Sequence, residues 1–158
     1  MGTEAERIRE ALDRWEGPLM RYAARLLGDV ERARDLVQET YLRLCAKGTA
    51  QAEGHLAEWL FTVCRNLAMD ELRRKPMSPL DDTRAGPAPA PPEALQGREE
   101  RGRLLKILSA LPGNQQEVLR LKFQEGLAYK EISRITSLSV SNVGFLIHTG
   151  LKALRQAI

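Results

Sequence analysis

The sequence predicts an all-α protein of two small helical domains joined by a proline-rich linker. Three observations predict it. Leu, Ala, Arg and Glu dominate the 158 residues, while aromatic residues make up only 5% and β-branched runs are absent. Apolar residues recur at i, i+3, i+4 and i+7 along most of the chain, the period of amphipathic helices. Six of the eight prolines fall between Pro76 and Pro92. Proline lacks a backbone donor and disfavours helix in the residue before it, so that stretch reads as a semi-extended linker. The expected boundaries are 1–76 for the first domain, 77–97 for the linker and 98–158 for the second.

The first helix is expected from Glu4 to Leu27. Ile8, Leu12, Trp15, Leu19, Tyr22, Ala23 and Leu26 are periodic there, and Gly17-Pro18 is a candidate break or bend. Gly28 punctuates, and Asp29 is a suitable N-cap for the next helix. The second helix is expected from Val30 to Ala46. Ala33, Leu36, Val37, Thr40 and Leu44 form its inner face, while Asp35, Gln38 and Leu42 share its outer face at i, i+3 and i+7. Lys47 to Gly54 reads as a loop. The third helix is expected from Leu56 to Lys75, stopped by Pro76, with Leu60, Val63, Cys64 and Leu67 as core. Thr62, Asn66, Met69 and Arg73 line its opposite face, with Arg65, Arg74 and Lys75 adding charge.

In the second domain, Gly126 ends one helix, and Leu127, Ile132 and Ile135 mark the next. Thr136-Ser137-Leu138 interrupts the period, and Ser139 can cap a following helix. That last helix keeps Val143, Ile147, Gly150 and Leu154 on one side. Ser141, Phe145, His148 and Lys152 lie on the other. A short helix, a tight turn and a presented second helix make a helix-turn-helix, whose second helix fits the major groove of DNA. A solvated helical hairpin gives the same spacing, but charge favours DNA. Residues 103–158 hold eight Lys/Arg against three Asp/Glu, whereas residues 1–76 hold thirteen of each. The excess sits where a phosphate-binding module needs it.

Other classes find little support. No run of 18 apolar residues suggests a membrane span, and the charged opening residues do not read as a signal peptide. There is no phosphate-cradling glycine loop and no nucleophile–base set, so no catalytic residue is assigned. Cys45 and Cys64 lack metal-ligand spacing, and His55 and His148 do not complete a site; no metal or cofactor is expected. Both cysteines read as small buried hydrophobes in a reducing cytosol, with a redox pair as the alternative.

Three segments carry a family likeness. They are Asp29-Val-Glu-Arg-Ala-Arg-Asp-Leu-Val-Gln-Glu-Thr-Tyr-Leu42, then Glu58-Trp-Leu-Phe-Thr-Val-Cys-Arg-Asn-Leu-Ala-Met-Asp-Glu-Leu-Arg-Arg74. The third comprises Leu111-Pro112, Glu117-Val118 and Glu125-Gly-Leu-Ala-Tyr-Lys-Glu-Ile132. In this order, flanking a linker, they resemble bacterial RNA polymerase sigma factors of the small extracytoplasmic-function (ECF) group, which keeps only sigma regions 2 and 4. The resemblance implies a non-catalytic, cytoplasmic transcription initiation factor. Its implied partners are core RNA polymerase, duplex promoter DNA and the melted single strand, and an anti-sigma factor; no membrane is involved. It implies that Asp35, Gln38, Glu39 and Leu42 meet the polymerase clamp. The loop and third helix would open the minus-ten element, with Arg65, Asn66, Arg73 and Arg74 on DNA. An Asn amide pairs with a base edge, and Arg clamps phosphate or stacks on an unpaired base. For Arg73-Arg74-Lys75 a second reading stays open, that of cations complementing their own helix dipole. Trp59 reads equally as core or as a stacking platform.

The upstream element would be read by Lys130, Ser141, Asn142, Phe145, His148 and Lys152. Here the chain departs from the family, which tends to be basic where this sequence has Gly144, Leu146, Thr149 and Leu151. Each missing phosphate contact removes roughly one unit from the salt slope of binding. Lys122, Lys130, Arg134, Lys152 and Arg155 would have to supply the attraction. Phe145 can meet a thymine methyl, or Phe145 and Leu146 can dock on a protein. Ala128 replaces the usual hydroxyl cap, at a cost of about 1 kcal/mol. Two rival readings remain: a stand-alone helix-turn-helix regulator, and a protein-interaction adaptor that has lost DNA binding.

Overall fold

The computed structural model describes residues 2–75 and 95–157. The expected linker therefore lies largely outside the described residues. The chain divides into two compact units, Met1–Gly86 and Pro87–Ile158, and no strand occurs among the described residues.

The first unit is a three-helix bundle. Helix α1 spans Glu4–Leu27, α2 Val30–Lys47 and α3 Leu56–Arg74, and each packs on the other two. Helix α1 starts with a reciprocal cap. Glu6 N–H donates to Thr3 Oγ1 at 3.2 Å, and Thr3 N–H donates back to Glu6 Oε2 at 3.3 Å. It ends at Gly28, whose φ of 69° is the left-handed C-cap that glycine adopts without strain. Asp29 caps α2 as expected, accepting from Glu31 N–H and Arg32 N–H.

Pro18 does not break α1, which runs through it. The missing donor removes one helical bond, but Leu19, Tyr22 and Ala23 just beyond it are all buried, and their packing holds the turn. The core of α3 is also turned from the expected face. Leu60 and Cys64 are fully buried, but so are Phe61 and Ala68, while Val63 and Leu67 are only half-buried. Phe61 sets this rotation. Its ring meets Trp15 and Tyr22 edge-on, at centroid distances of 6.0 and 5.3 Å.

Polar bonds fix the bundle's edges. Tyr41 Oη donates to the Ala11 carbonyl at 3.0 Å, from α2 to α1. Arg32 Nε donates to Glu71 Oε1 at 2.8 Å, and its Nη2 donates to the Lys75 carbonyl at 3.1 Å. The start of α2 is thereby tied to the end of α3. The expected loop contains a short 3₁₀ turn, Ala50–Ala52, and is anchored. Thr49 donates from its N–H and its hydroxyl to the Glu4 carboxylate, at 2.6 and 2.8 Å. Those bonds hold the Glu4 carboxyl below its ordinary range.

The second unit holds α4 (Leu95–Ser109), α5 (Gly113–Phe123), α6 (Tyr129–Thr136) and α7 (Val140–Ala157). Helix α4 opens at Leu95, inside the stretch 77–97 read as linker. Val118, Leu119, Leu121, Leu127, Ile132, Ile135, Val143, Leu146 and Ile147 are buried together as its core. Gly150 lets α7 close on α5: a Cβ there would stand 2.7 Å from Leu119 Cδ1.

Candidate nucleic-acid and protein interfaces

The helix-turn-helix forms as its residues require. Glu125, Gly126 and Leu127 leave α5, with Gly126 at φ 71° and Leu127 N–H donating to the Leu121 carbonyl at 3.1 Å. Ala128 supplies no hydroxyl, but half of the reciprocal cap survives. Its N–H donates to Glu131 Oε1 at 2.9 Å. Helix α6 ends at Ser137, the one described non-glycine residue at positive φ, 65°. The turn is held by Ser133 Oγ donating to the Leu138 carbonyl at 2.6 Å. Ser139 Oγ then accepts Asn142 N–H at 3.0 Å, opening α7.

On α7 the stripe Ser141, Phe145, His148 and Lys152 is exposed throughout, and Asn142 beside it is exposed too. Phe145 keeps 63% of its surface open. Lys130, on α6, is also exposed. The positions expected to have lost basic residues are used for packing. Leu146 is in the core, Gly144 lies 3.6 Å (from its would-be Cβ) from the Tyr129 ring, and the Thr149 hydroxyl accepts from Gln115 Nε2 at 2.8 Å. Leu146 is thus not available to dock beside Phe145, because Val143, Leu146 and Ile147 turn inward together. Lys122 of α5 lies over the ring of Tyr129 of α6 at 5.3 Å, a cation–π pair that sequence reading did not find.

On α2, Asp35, Gln38, Glu39 and Leu42 are all exposed, Leu42 at 63%. Glu39 pairs with Arg43 at 3.3 Å along the helix. Gln38 and Leu42 form one lip of a groove of about 570 Å³ whose other wall is α1, through Leu12, Glu16 and Met20. The α1 wall was missed. Leu12 reads as core by its period, whereas here it is only half-buried. Cys45 lines the same groove and is exposed, which corrects its reading as a buried hydrophobe; Cys64 alone is buried. Leu44 is fully buried, whereas Cys45, about 100° further round the helix, comes out at the groove.

On α3, Asn66, Arg73 and Arg74 are exposed, and Arg65 is half-buried. Arg73 is ion-paired with Asp70 one turn back. Trp59 is half-buried.

The chain matches the family model for sigma-70 region 2 over residues 11–76 and that for sigma-70 region 4 over residues 101–154. It is 30% identical to the ECF RNA polymerase sigma factor SigL of Mycobacterium tuberculosis, over 96% of this chain and 89% of that one. This chain belongs to the ECF sigma factors of the sigma-70 family. Another relative, the ECF sigma factor SigW of Bacillus subtilis, is 26% identical over 94% of this chain and 87% of its own. The fold of this sigma factor is similar to that of Bartonella quintana RpoE, solved in complex with the anti-sigma factor NepR. The TM-score is 0.66 at 21% identity, with 94% of each chain covered. Membership makes the protein a transcription initiation factor; sigma factors are not enzymes. No described helix is long and apolar enough to cross a membrane.

Proposed function

We propose that this sigma factor binds core RNA polymerase through the α2 face and directs it to promoters that its two units recognise. Residues 1–76 would hold polymerase and the minus-ten element, 98–158 the upstream element, and 77–97 would connect them. Asp35, Gln38, Glu39 and Leu42 are the polymerase contacts. The observation that carries the reading is an exposed Leu42 at the lip of an apolar groove, inside the segment matched to region 2. Surfaces of that kind mark protein interfaces. Arg65, Asn66, Arg73 and Arg74 are assigned to DNA opening, and Lys130, Ser141, Asn142, Phe145, His148 and Lys152 to the upstream duplex.

The factor works in the cytoplasm, where polymerase and promoters are. It contributes binding and no catalysis, and needs no metal or cofactor. Bartonella quintana RpoE forms a complex with an anti-sigma factor. An anti-sigma factor that covers the α1–α2 groove of this chain would keep it from polymerase. Transcription in vitro tests the function. Core polymerase with this protein should yield discrete run-off products from a library of host DNA that core polymerase alone does not make. Absence of such products would remove the proposal, and DNA binding that persists without polymerase would favour a stand-alone regulator.

A further inference from the structure

The first three turns of the recognition helix lack the side chains that usually read guanine. From Ile135 to Leu151 the chain carries neither Lys nor Arg. A bidentate Arg or Lys on guanine O6 and N7 is the commonest specific base contact in the major groove. The first three turns of α7 cannot make it. Lys152 lies far along the helix, whereas base edges are met by a recognition helix's N-terminal residues. Lys152 is therefore placed for phosphate.

What those turns do present is Asn142 and Phe145. They are three residues apart, neighbours on the helix surface at about 5–6 Å between Cβ atoms. Successive bases on a strand rise by about 3.4 Å, so the two side chains reach the same or adjoining base pairs. Asn142 N–H is already satisfied by Ser139 Oγ at 3.0 Å, and its side-chain amide is exposed. An Asn amide matches adenine, donating to N7 and accepting from the N6 amino group. Phe145 is 63% exposed on a helix whose other large apolar residues past Val140 are buried or half-buried. Its apolar ring matches the thymine C5-methyl, which only A·T and T·A pairs present in the major groove.

Resting on the proposed role of α7, we infer that this sigma factor reads its upstream element as adjoining A·T pairs, Asn142 contacting adenine and Phe145 a thymine methyl. Specificity comes from one amide and one apolar contact, and the attraction to phosphate from the cations around the motif.

The test uses the full chain assembled with core polymerase, on promoter fragments recovered by run-off transcription from host DNA. Within the upstream element, thymines are replaced singly by deoxyuridine, which lacks the methyl, and adenines by 7-deazaadenine, which lacks N7. One uracil should lower holoenzyme affinity about threefold to fivefold for wild type and not at all for Phe145→Ala. A 7-deazaadenine at the same or next pair should lower it about tenfold for wild type and leave Asn142→Ala unmoved. Both variants are surface changes and should bind core polymerase as wild type does. Affinity blind to every uracil, equal uracil sensitivity in Phe145→Ala, or an element contacted only at G·C pairs overturns the inference and leaves the sigma role standing. Recovery of no transcribed fragment overturns both.

Discussion

The two cysteines show how one residue type takes two chemistries. Cys64 lies in the first unit's core, where burial pushes its thiol up to about 12 against a smaller opposing hydrogen bond with Thr40. Cys45 faces the groove beside Leu42. A thiol reagent at pH 8 should therefore modify one cysteine quickly, and Cys45→Ser should abolish that fast reaction; mass spectrometry of the labelled peptides decides it. The raised thiol also sets an alkaline limb. The folded Cys64 stays protonated while the unfolded one ionises from its ordinary 9.0, so its stabilisation is complete below 9 and is lost as pH climbs to about 12. The slope reaches at most about 1.4 kcal/mol per pH unit. Tyr41, also raised by burial, adds to it from 10.0 upward. Urea unfolding of Cys64→Ala should lack the part of the limb that begins near 9, at a neutral-pH cost of about 1 kcal/mol. On α3, Asn66→Ala and Arg73→Ala remove exposed side chains away from Leu60 and Phe61. They should lower promoter opening, read by permanganate reactivity of unpaired thymines, more than polymerase binding. Normal opening in both variants would take α3 out of the DNA interface.

Among the elements, α7 and α2 each carry one buried and one exposed face. Gly150 brings α7 onto α5, and a Cβ there meets Leu119, itself buried. Gly150→Ala gains up to about 1 kcal/mol of helix propensity. Overpacking against an immobile leucine costs about 1–3 kcal/mol. A net loss in stability is expected from thermal unfolding, relieved by the added change Leu119→Val; a net gain would show that Leu119 moves aside freely. On α2 the inner residues Ala33, Leu36, Val37, Thr40 and Leu44 are buried, and the outer ones are free to face a partner. Asp35→Arg with Gln38→Ala should leave helicity and melting unchanged while weakening core polymerase binding at least tenfold in a competition assay. Unchanged affinity would remove α2 from the polymerase interface.

At the scale of the whole molecule, the chain divides into two compact units, which on the proposed function would meet polymerase and promoter at separate places. Neither unit needs to bind tightly alone, because tethering turns the second contact into an intramolecular one and multiplies affinity by roughly 10²–10⁴. A protease site placed within residues 77–94 tests this. Cutting should lower promoter-dependent transcription about a hundredfold or more at unchanged protein concentration, with activity returning as both halves are raised together. Full activity after cutting would mean that one unit suffices.

The amino-acid sequence by itself determined the three helices of the first unit to within a residue or two, the caps at Asp29 and Ser139, the helix-turn-helix and the concentration of positive charge beside it, but not the start of α4 at Leu95. It also carried the family, through three motifs in order. Period, cap and glycine signals are local, and each acts within a few residues of where it is written. Tertiary structure alone decided which way the helices turned. Phe61 rotated α3 by packing on Trp15 and Tyr22, packing beyond Pro18 kept α1 whole, and Leu146 entered the core rather than the surface. The groove lined by Leu12, Met20 and Leu42 exists only because α1 and α2 lie side by side. The latch from Glu4 to Thr49 likewise joins residues far apart in the chain. A helix's period says that it has an apolar side, but the neighbours that bury it choose the angle, and they come from distant parts of the chain.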